Sequence, residues 1–291
     1  MPLLDKRPEV VLDRVFFATD FSTASQKALG YAVAIARRHC AELDVVHVVD
    51  LSAAMVSSEG PTECLLEALL QSSRESLNAS VKAMRGVKMR VEVREGISPP
   101  DDLLACSREF SADLIVMGTA SKHGLDKLIL GSTAERVLRA ASCPVLVVGP
   151  HAAEAPSGAL ALQQIVCADD FGRASNRALE FALSFAQDDG AHLYVCHVLA
   201  ERGCDPVPLH DADLQKRMEE LIGPESRQWC TAQCVVEHGH AVEQILAVAA
   251  RVNADLIVLG PRSGSFWLDN VHTGTTPAIL ARAGCPVLTV R

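Results

Sequence analysis

Continuous apolar runs alternate along this chain with stretches of helical period. Residues 13–19 form one apolar run, read as a buried strand, and 43–49 form a second. Between them, Ala28, Leu29, Ala32, Ile35 and Ala36 share one face of a helix over 25–38, with Ser22 as its N-cap. A longer helix is expected over 61–84. Residues 87–94 alternate, with Val87, Met89, Val91 and Val93 on one side, which predicts a strand with one wetter face. Asp101 and Asp102 open a helix running through Phe110, where acids meet the positive end of the dipole. Residues 113–117 and 144–148 are two more buried strands, joined by a helix from Ser132 to Ala141. The order is βαβαβαβαβ, which calls for an α/β fold with a parallel sheet and right-handed crossovers.

The pattern then repeats. Val15-Phe16-Phe17-Ala18-Thr19-Asp20-Phe21 returns as Ile165-Val166-Cys167-Ala168-Asp169-Asp170-Phe171. Ala24-Ser25 returns as Ala174-Ser175, and the 43–48 strand ending His47-Val48 returns as 193–198 ending His197-Val198. Residues 112–118 recur at 254–260, and Cys143-Pro144-Val145-Leu146 recurs as Cys285-Pro286-Val287-Leu288. Blocks kept in order make this a tandem duplication. The Ala-, Gly- and Pro-rich segment 151–161 reads as a linker between domains at 1–150 and 162–291.

Composition narrows the class. Of 291 residues 49% are apolar but only 4% aromatic, so the cores rest on Val, Leu, Ile and Ala. The net charge is −9, and no Lys/Arg-rich run marks a nucleic-acid surface. No signal-like segment opens the chain and no apolar stretch approaches the ~20 residues of a membrane span, so a cytoplasmic location is expected. Ten cysteines with no CxxC read as reduced thiols. Cys230, Cys234, His238 and His240 invite a zinc reading. On one strand, however, positions four apart lie about 13 Å from each other, too far for one tetrahedral ion.

In an open parallel sheet, ligands bind beyond the carboxyl ends of the strands. The loops there are 19–24, 48–52 and 118–132, then 169–174, 198–203 and 260–275. In the first copy a glycine ends a strand at Gly118, and Gly131-Ser132-Thr133 opens a helix whose free N–H groups can cradle phosphate oxygens. Lys122 or Lys127 can add charge. Two bland readings stand beside this. Asp20 and Asp170 can cap the following turn, and Gly131 and Gly274 can be turn residues only. His47 and His197, within apolar runs, read as hydrogen-bonded core histidines rather than catalytic groups. No Walker loop, nucleophile elbow or general base identifies itself.

These landmarks resemble the universal stress protein family, whose loop pattern is Gly-x2-Gly-x9-Gly-Ser/Thr. The first copy matches as Gly118-x2-Ser121-x9-Gly131-Ser132, with Ser at the middle glycine. The second matches as Gly260-x3-Gly264-x9-Gly274-Thr275, one residue longer, with Phe266 and Trp267 inside the loop. The resemblance implies two Rossmann-like domains of the adenine nucleotide alpha hydrolase-like type, each with a five-stranded parallel sheet. It implies binding of an adenine nucleotide, ATP in first place with AMP or ADP as alternatives, and Mg²⁺ with it. Carried over, the binding residues are Asp20, Val48, Gly118, Ser121, Gly131, Ser132 and Thr133, then Asp170, Val198, Gly260, Gly264, Gly274 and Thr275. The expected role is a stress-response sensor or regulator. A tandem scaffold without nucleotide and a weak ATPase are the alternatives. Relatives with one domain pair through their last strands, so residues 144–149 and 286–291 are expected to form an internal pseudo-dimer, with a homodimer of whole chains compatible with it.

Overall fold

The computed structural model describes residues 10–52, 63–119, 130–155, 160–200, 210–224, 226–261 and 274–291. They divide into two compact units, one spanning 11–160 and the other containing 161–291 together with Val10, whose N–H donates to Ser184 Oγ at 3.0 Å.

The first unit contains β1 (Arg14–Ala18), α1 (Thr23–Arg38), β2 (Glu42–Asp50), α2 (Glu63–Val81), β3 (Met89–Gly96), α3 (Pro99–Glu109), β4 (Leu114–Gly118), α4 (Ser132–Ala140) and β5 (Val145–Val148). Its strands lie in the order β3-β2-β1-β4-β5, with every pairing parallel. The second unit repeats this with β6 (Gln164–Ala168), α5 (Arg173–Asp189), β7 (His192–Leu199), α6 (Asp211–Ile222), β8 (Thr231–His238), α7 (Ala241–Arg251), β9 (Leu256–Leu259), α8 (Thr275–Arg282) and β10 (Val287–Thr289). Its order is β10-β9-β6-β7-β8, again parallel.

The periodicity explains the layering. Strands β1, β4 and β5 are almost wholly buried, whereas β3 is half-buried along its length. All five apolar positions named on α1 are buried. Ser22 caps α1, its Oγ accepting the Ser25 N–H at 3.2 Å. Ser22→Ala is expected to lower stability by about 1 kcal/mol in chemical denaturation. An unchanged midpoint would show that this bond adds nothing. Helix α3 starts at Pro99, two residues before the acids, because proline's fixed φ suits the first helical turn. Strand β3 starts at Met89 rather than Val87, because its register is set by pairing with β2, Leu43 opposite Met89.

The segment after β5 packs on α1. Lys27 Nζ donates to the Ala152 carbonyl at 2.9 Å, Tyr31 Oη to the Ala153 carbonyl at 3.3 Å, and Arg38 to the Leu160 carbonyl at 3.1 Å. Ala152 and Leu160 are buried. The described residues of this segment are therefore held on α1 through the backbone carbonyls of Ala152, Ala153 and Leu160. Of the cysteines, Cys40 and Cys64 are exposed, while Cys106, Cys167, Cys196, Cys230 and Cys285 are buried. Burial pushes the Cys106 thiol up to about 11 and that of Cys285 to about 12, so both stay protonated and unreactive at neutral pH.

Among the described residues of the first unit one charged side chain is fully buried. Asp44 on β2 is fully buried and takes two hydrogen bonds from Arg90 on β3, both 3.0 Å. At the matching register the second unit has the neutral residues Tyr194 and Gln233.

Candidate functional site

Because β2, β1 and β4 are parallel neighbours, their carboxyl ends share one edge of the first unit. Right-handed crossovers bring the amino ends of α1 and α4 to that same edge. Asp20, Val48, Gly118 and Gly131 therefore gather there, with Ser132 and Thr133 opening α4. In the second unit Asp170, Val198, Gly260 and Gly274 occupy the matching edge, with Thr275 opening α8. Ser121 and Gly264 lie outside the described residues, as do Lys122, Lys127, Phe266 and Trp267.

The loop after β1 is built from local side-chain bonds. Asp20 is exposed, and its Oδ1 accepts the Ser22 N–H at 3.0 Å, as Asp170 Oδ1 accepts the Gly172 N–H at 2.9 Å. Both acids thus hold a turn. Partial burial alone would raise the Asp20 carboxyl, but hydrogen bonds from Ser22 and Ser25 outweigh it and hold the group below its ordinary value. Asp20 is a carboxylate at neutral pH, facing the edge.

Next to each acid stands a phenylalanine with a positive φ, +62° at Phe21 and +59° at Phe171. That conformation costs roughly 1–2 kcal/mol for a residue with a Cβ. Its N–H is held by the residue two before it, Thr19 Oγ1 at 3.1 Å in one unit and Asp169 Oδ1 at 3.1 Å in the other. The ring packs on a histidine, with centroids 4.3 Å apart for Phe21–His47 and 4.6 Å for Phe171–His197. Each histidine Nδ1 donates to the carbonyl at the end of β1 or β6, Thr19 at 2.8 Å and Asp169 at 2.7 Å. Both histidines are thus half-buried, hydrogen-bonded positioning residues. Sequence reasoning missed the phenylalanines, although the recurrence of Asp-Phe at the same place was the available signal.

Gly118 and Gly260 have a use that spacing alone did not reveal. A Cβ on Gly118 would come within 2.6 Å of the Ala24 carbonyl oxygen and overlap the Ser25 nitrogen. On Gly260 it would overlap the backbone of Ala174 and Ser175. These glycines let the first turn of α1 or α5 rest directly on the strand end. Gly131 differs: it has φ −62° and ψ 143°, and no side chain caps the turn that it opens. The first-turn N–H groups of α4, from Ser132, Thr133 and Ala134, thus stay available to an anion. Gly274 opens α8 in the same way, but Pro277 stands where Ala134 does and has no N–H to offer.

The units differ at the residue that follows β1 or β6. The Thr19 hydroxyl accepts from Phe21 and donates to Ser25 Oγ at 3.2 Å, so it is satisfied. Asp169 is 4% exposed, its Oδ2 has no hydrogen-bond partner, and Ser175 Oγ turns to the Gly172 carbonyl at 2.9 Å. Burial pushes this carboxyl up, against the pull of Ser175, the Phe171 N–H and His197. On the neighbouring Phe171 ring lies the Arg217 guanidinium of α6, 4.1 Å from the centroid. Among the described residues no group of three or more His, Cys, Asp or Glu is arranged to hold a metal ion, and no helix is long and apolar enough to cross a membrane.

Comparison with known proteins agrees with the duplication. The model of the Universal stress protein family matches twice, at residues 12–149 and 161–291. A universal stress protein of Methanocaldococcus jannaschii is 40% identical over 144 residues, 48% of this chain and 84% of that protein. Universal stress protein A homolog 1 of Coxiella burnetii is 35% identical over 138 residues, 46% of this chain and 94% of its own length. The crystal structure of a universal stress protein from Archaeoglobus fulgidus aligns over 98% of both chains, with a TM-score of 0.76 and 24% identity, which bears on the fold alone.

Proposed function

The chain belongs to the universal stress protein family, and from that premise we propose that its first domain binds an adenine nucleotide, ATP with Mg²⁺, as a cytoplasmic stress-response sensor or regulator. The observation that carries this reading is the opening of α4. Gly131 brings three backbone N–H groups, uncapped by any side chain, to the edge where Asp20 and Val48 also stand. Such a donor set fits phosphate oxygens. In this reading the amides of Ser132, Thr133 and Ala134 hold the phosphates, with the Ser132 and Thr133 hydroxyls beside them. The Asp20 carboxylate accepts from the ribose or base, and Val48 packs near the adenosine. Mg²⁺ comes with the triphosphate and neutralises part of its charge.

No residue at this edge is placed as a general base, so the function follows from binding. Phosphates held at the opening of α4 change the surface of this edge, and that change is what a partner reads.

Calorimetric titration of the whole chain with ATP and Mg²⁺, beside Gly131→Val, tests this. Gly131 has a φ open to any residue, so the variant keeps its backbone and places a branched side chain where phosphate approaches. Saturable binding that weakens at least tenfold in the variant is expected. A folded wild type that takes up no ATP would leave a scaffold acting through protein contacts as the better account.

A further inference from the structure

Strand β8 ends the strand order of the second unit, as β3 ends that of the first. Among the described strands each has one partner, β7 for β8 and β2 for β3. None of the eight residues of either strand is buried. The Thr231 N–H donates to the Ala191 carbonyl, and the Gly239 N–H to the Leu199 carbonyl. Alternate residues of a strand turn N–H and C=O to opposite sides, so those of Ala232, Cys234, Val236 and His238 point away from β7. Such a row is a template for another strand unless charge, proline or a bulge blunts it.

Strand β3 is blunted by charge. Arg90, Glu92 and Arg94 alternate along it, tied to Asp44, to one another and to Glu109. The Lys88 and Gly96 carbonyls face β2, so the outward row is Met89, Val91, Val93 and Glu95. Antiparallel pairing of two such rows about Glu92 would set Glu92 against Glu92 and Arg90 against Arg94, like charges directly opposite each other.

At the matching positions β8 carries Gln233, Val235 and Glu237. Two β8 strands paired antiparallel about Val235 bring their outward rows together, Cys234 opposite Val236 and Ala232 opposite His238. Between these, Val235 meets Val235, and the Gln233 amide, a donor, stands opposite the Glu237 carboxylate, an acceptor. No like charges meet. Arg251, 2.8 Å from Glu237, leaves that carboxylate with a counter-charge of its own.

We propose that the free side of β8 is a self-complementary interface, through which two copies of this chain pair their β8 strands antiparallel about Val235. Valine at 235, where β3 has Glu92, is what opens this strand to pairing and leaves the other closed. The joining requires no nucleotide.

Sedimentation equilibrium of the full chain tests this. One added strand pair is a small interface, so exchange between monomer and dimer is expected at about 10–100 μM. Val235→Glu copies Glu92, and Cys234→Pro removes an N–H that β7 does not use; each is expected to weaken the dimer at least tenfold. Thermal melting confirms that each variant is folded. Val235→Cys reads the same register as a gain. Facing residues of a pair without hydrogen bonds have Cα atoms about 4.5 Å apart, within reach of a disulfide. Oxidation of this variant by diamide is expected to give a covalent dimer joined at position 235, located by peptide mapping. A wild type that stays monomeric well above the expected range, folded variants that dimerise as it does, or cross-linking only through the other cysteines overturns the proposal.

Discussion

Gly118→Ala is expected to cost the first unit about 3 kcal/mol, while Gly131→Ala costs a few tenths. The two glycines stand in one loop pattern, yet their surroundings differ in kind. A methyl group on Gly118 meets the backbone of Ala24 and Ser25, which cannot rotate away as a side chain would. Either α1 lifts from the strand or the strand end bends, and overpacking of this sort costs 1–3 kcal/mol, more when backbone must move. Lifting α1 would also disturb the Ser22 cap and the hydrogen bonds that hold Phe21 in its positive-φ conformation. Gly131 has an extended backbone that any residue adopts, and alanine there loses only a little capping preference. Urea denaturation of both variants separates the roles. Should Gly118→Ala melt with the wild type, close packing is not what that glycine serves, and approach of a ligand becomes the better reason for it.

Arg90→Ala is expected to destabilise the first unit by about 3 kcal/mol at pH 7. It leaves Asp44 buried with both carboxylate oxygens deprived of their Arg90 bonds, the circumstance in which breaking an ion pair costs 3–5 kcal/mol. The lower end applies because Arg90 is about half-exposed, at 49%, so water can enter where it stood. The pH dependence follows from the sign of the shift. Burial already pushes the Asp44 carboxyl above its ordinary value, against the pull of Arg90. Without Arg90 it moves higher still. A carboxyl raised in the folded state supports folding fully below its unfolded pKa and loses that support as pH rises through the folded one. The deficit of Arg90→Ala should therefore shrink as pH falls from 7 toward 5. Asp44→Asn with Arg90→Gln removes both charges and should recover most of the loss, as the neutral Tyr194 and Gln233 at the same register suggest. A constant deficit across this pH range would show that lost packing of the arginine stem, and not the orphaned charge, is responsible.

Most of the fold was legible because the duplication let the chain be read twice. The strands of 13–19 and 43–49 stand out as apolar runs, and their counterparts 150 residues on confirm each other. Boundaries were less legible where tertiary pairing decides them, as at β3, whose start follows its register with Leu43. The site was legible only in part. The repeat carried both halves of the Gly118 contact, since Ala24-Ser25 recurs as Ala174-Ser175 and Gly118 as Gly260. Their separation of more than 80 residues in each copy hid the fact that they touch. A positive φ at Phe21 and Phe171 runs against the preference of bulky residues, so no propensity could announce it. The divergence between the units, Thr19 against Asp169 and Ala134 against Pro277, is plain in the aligned blocks. It acquires meaning only once burial and the missing partner of Oδ2 are known.

Native mass spectrometry of the intact chain, titrated with ATP and Mg²⁺, decides whether the first edge holds a nucleotide. It counts ligands on each chain without assuming which domain holds them. A single ATP per chain is expected, held by the unit that contains Gly131. A chain that takes up none would rule out the nucleotide reading, and one that takes up two with equal ease would show that the N–H missing at Pro277 does not weaken the second edge.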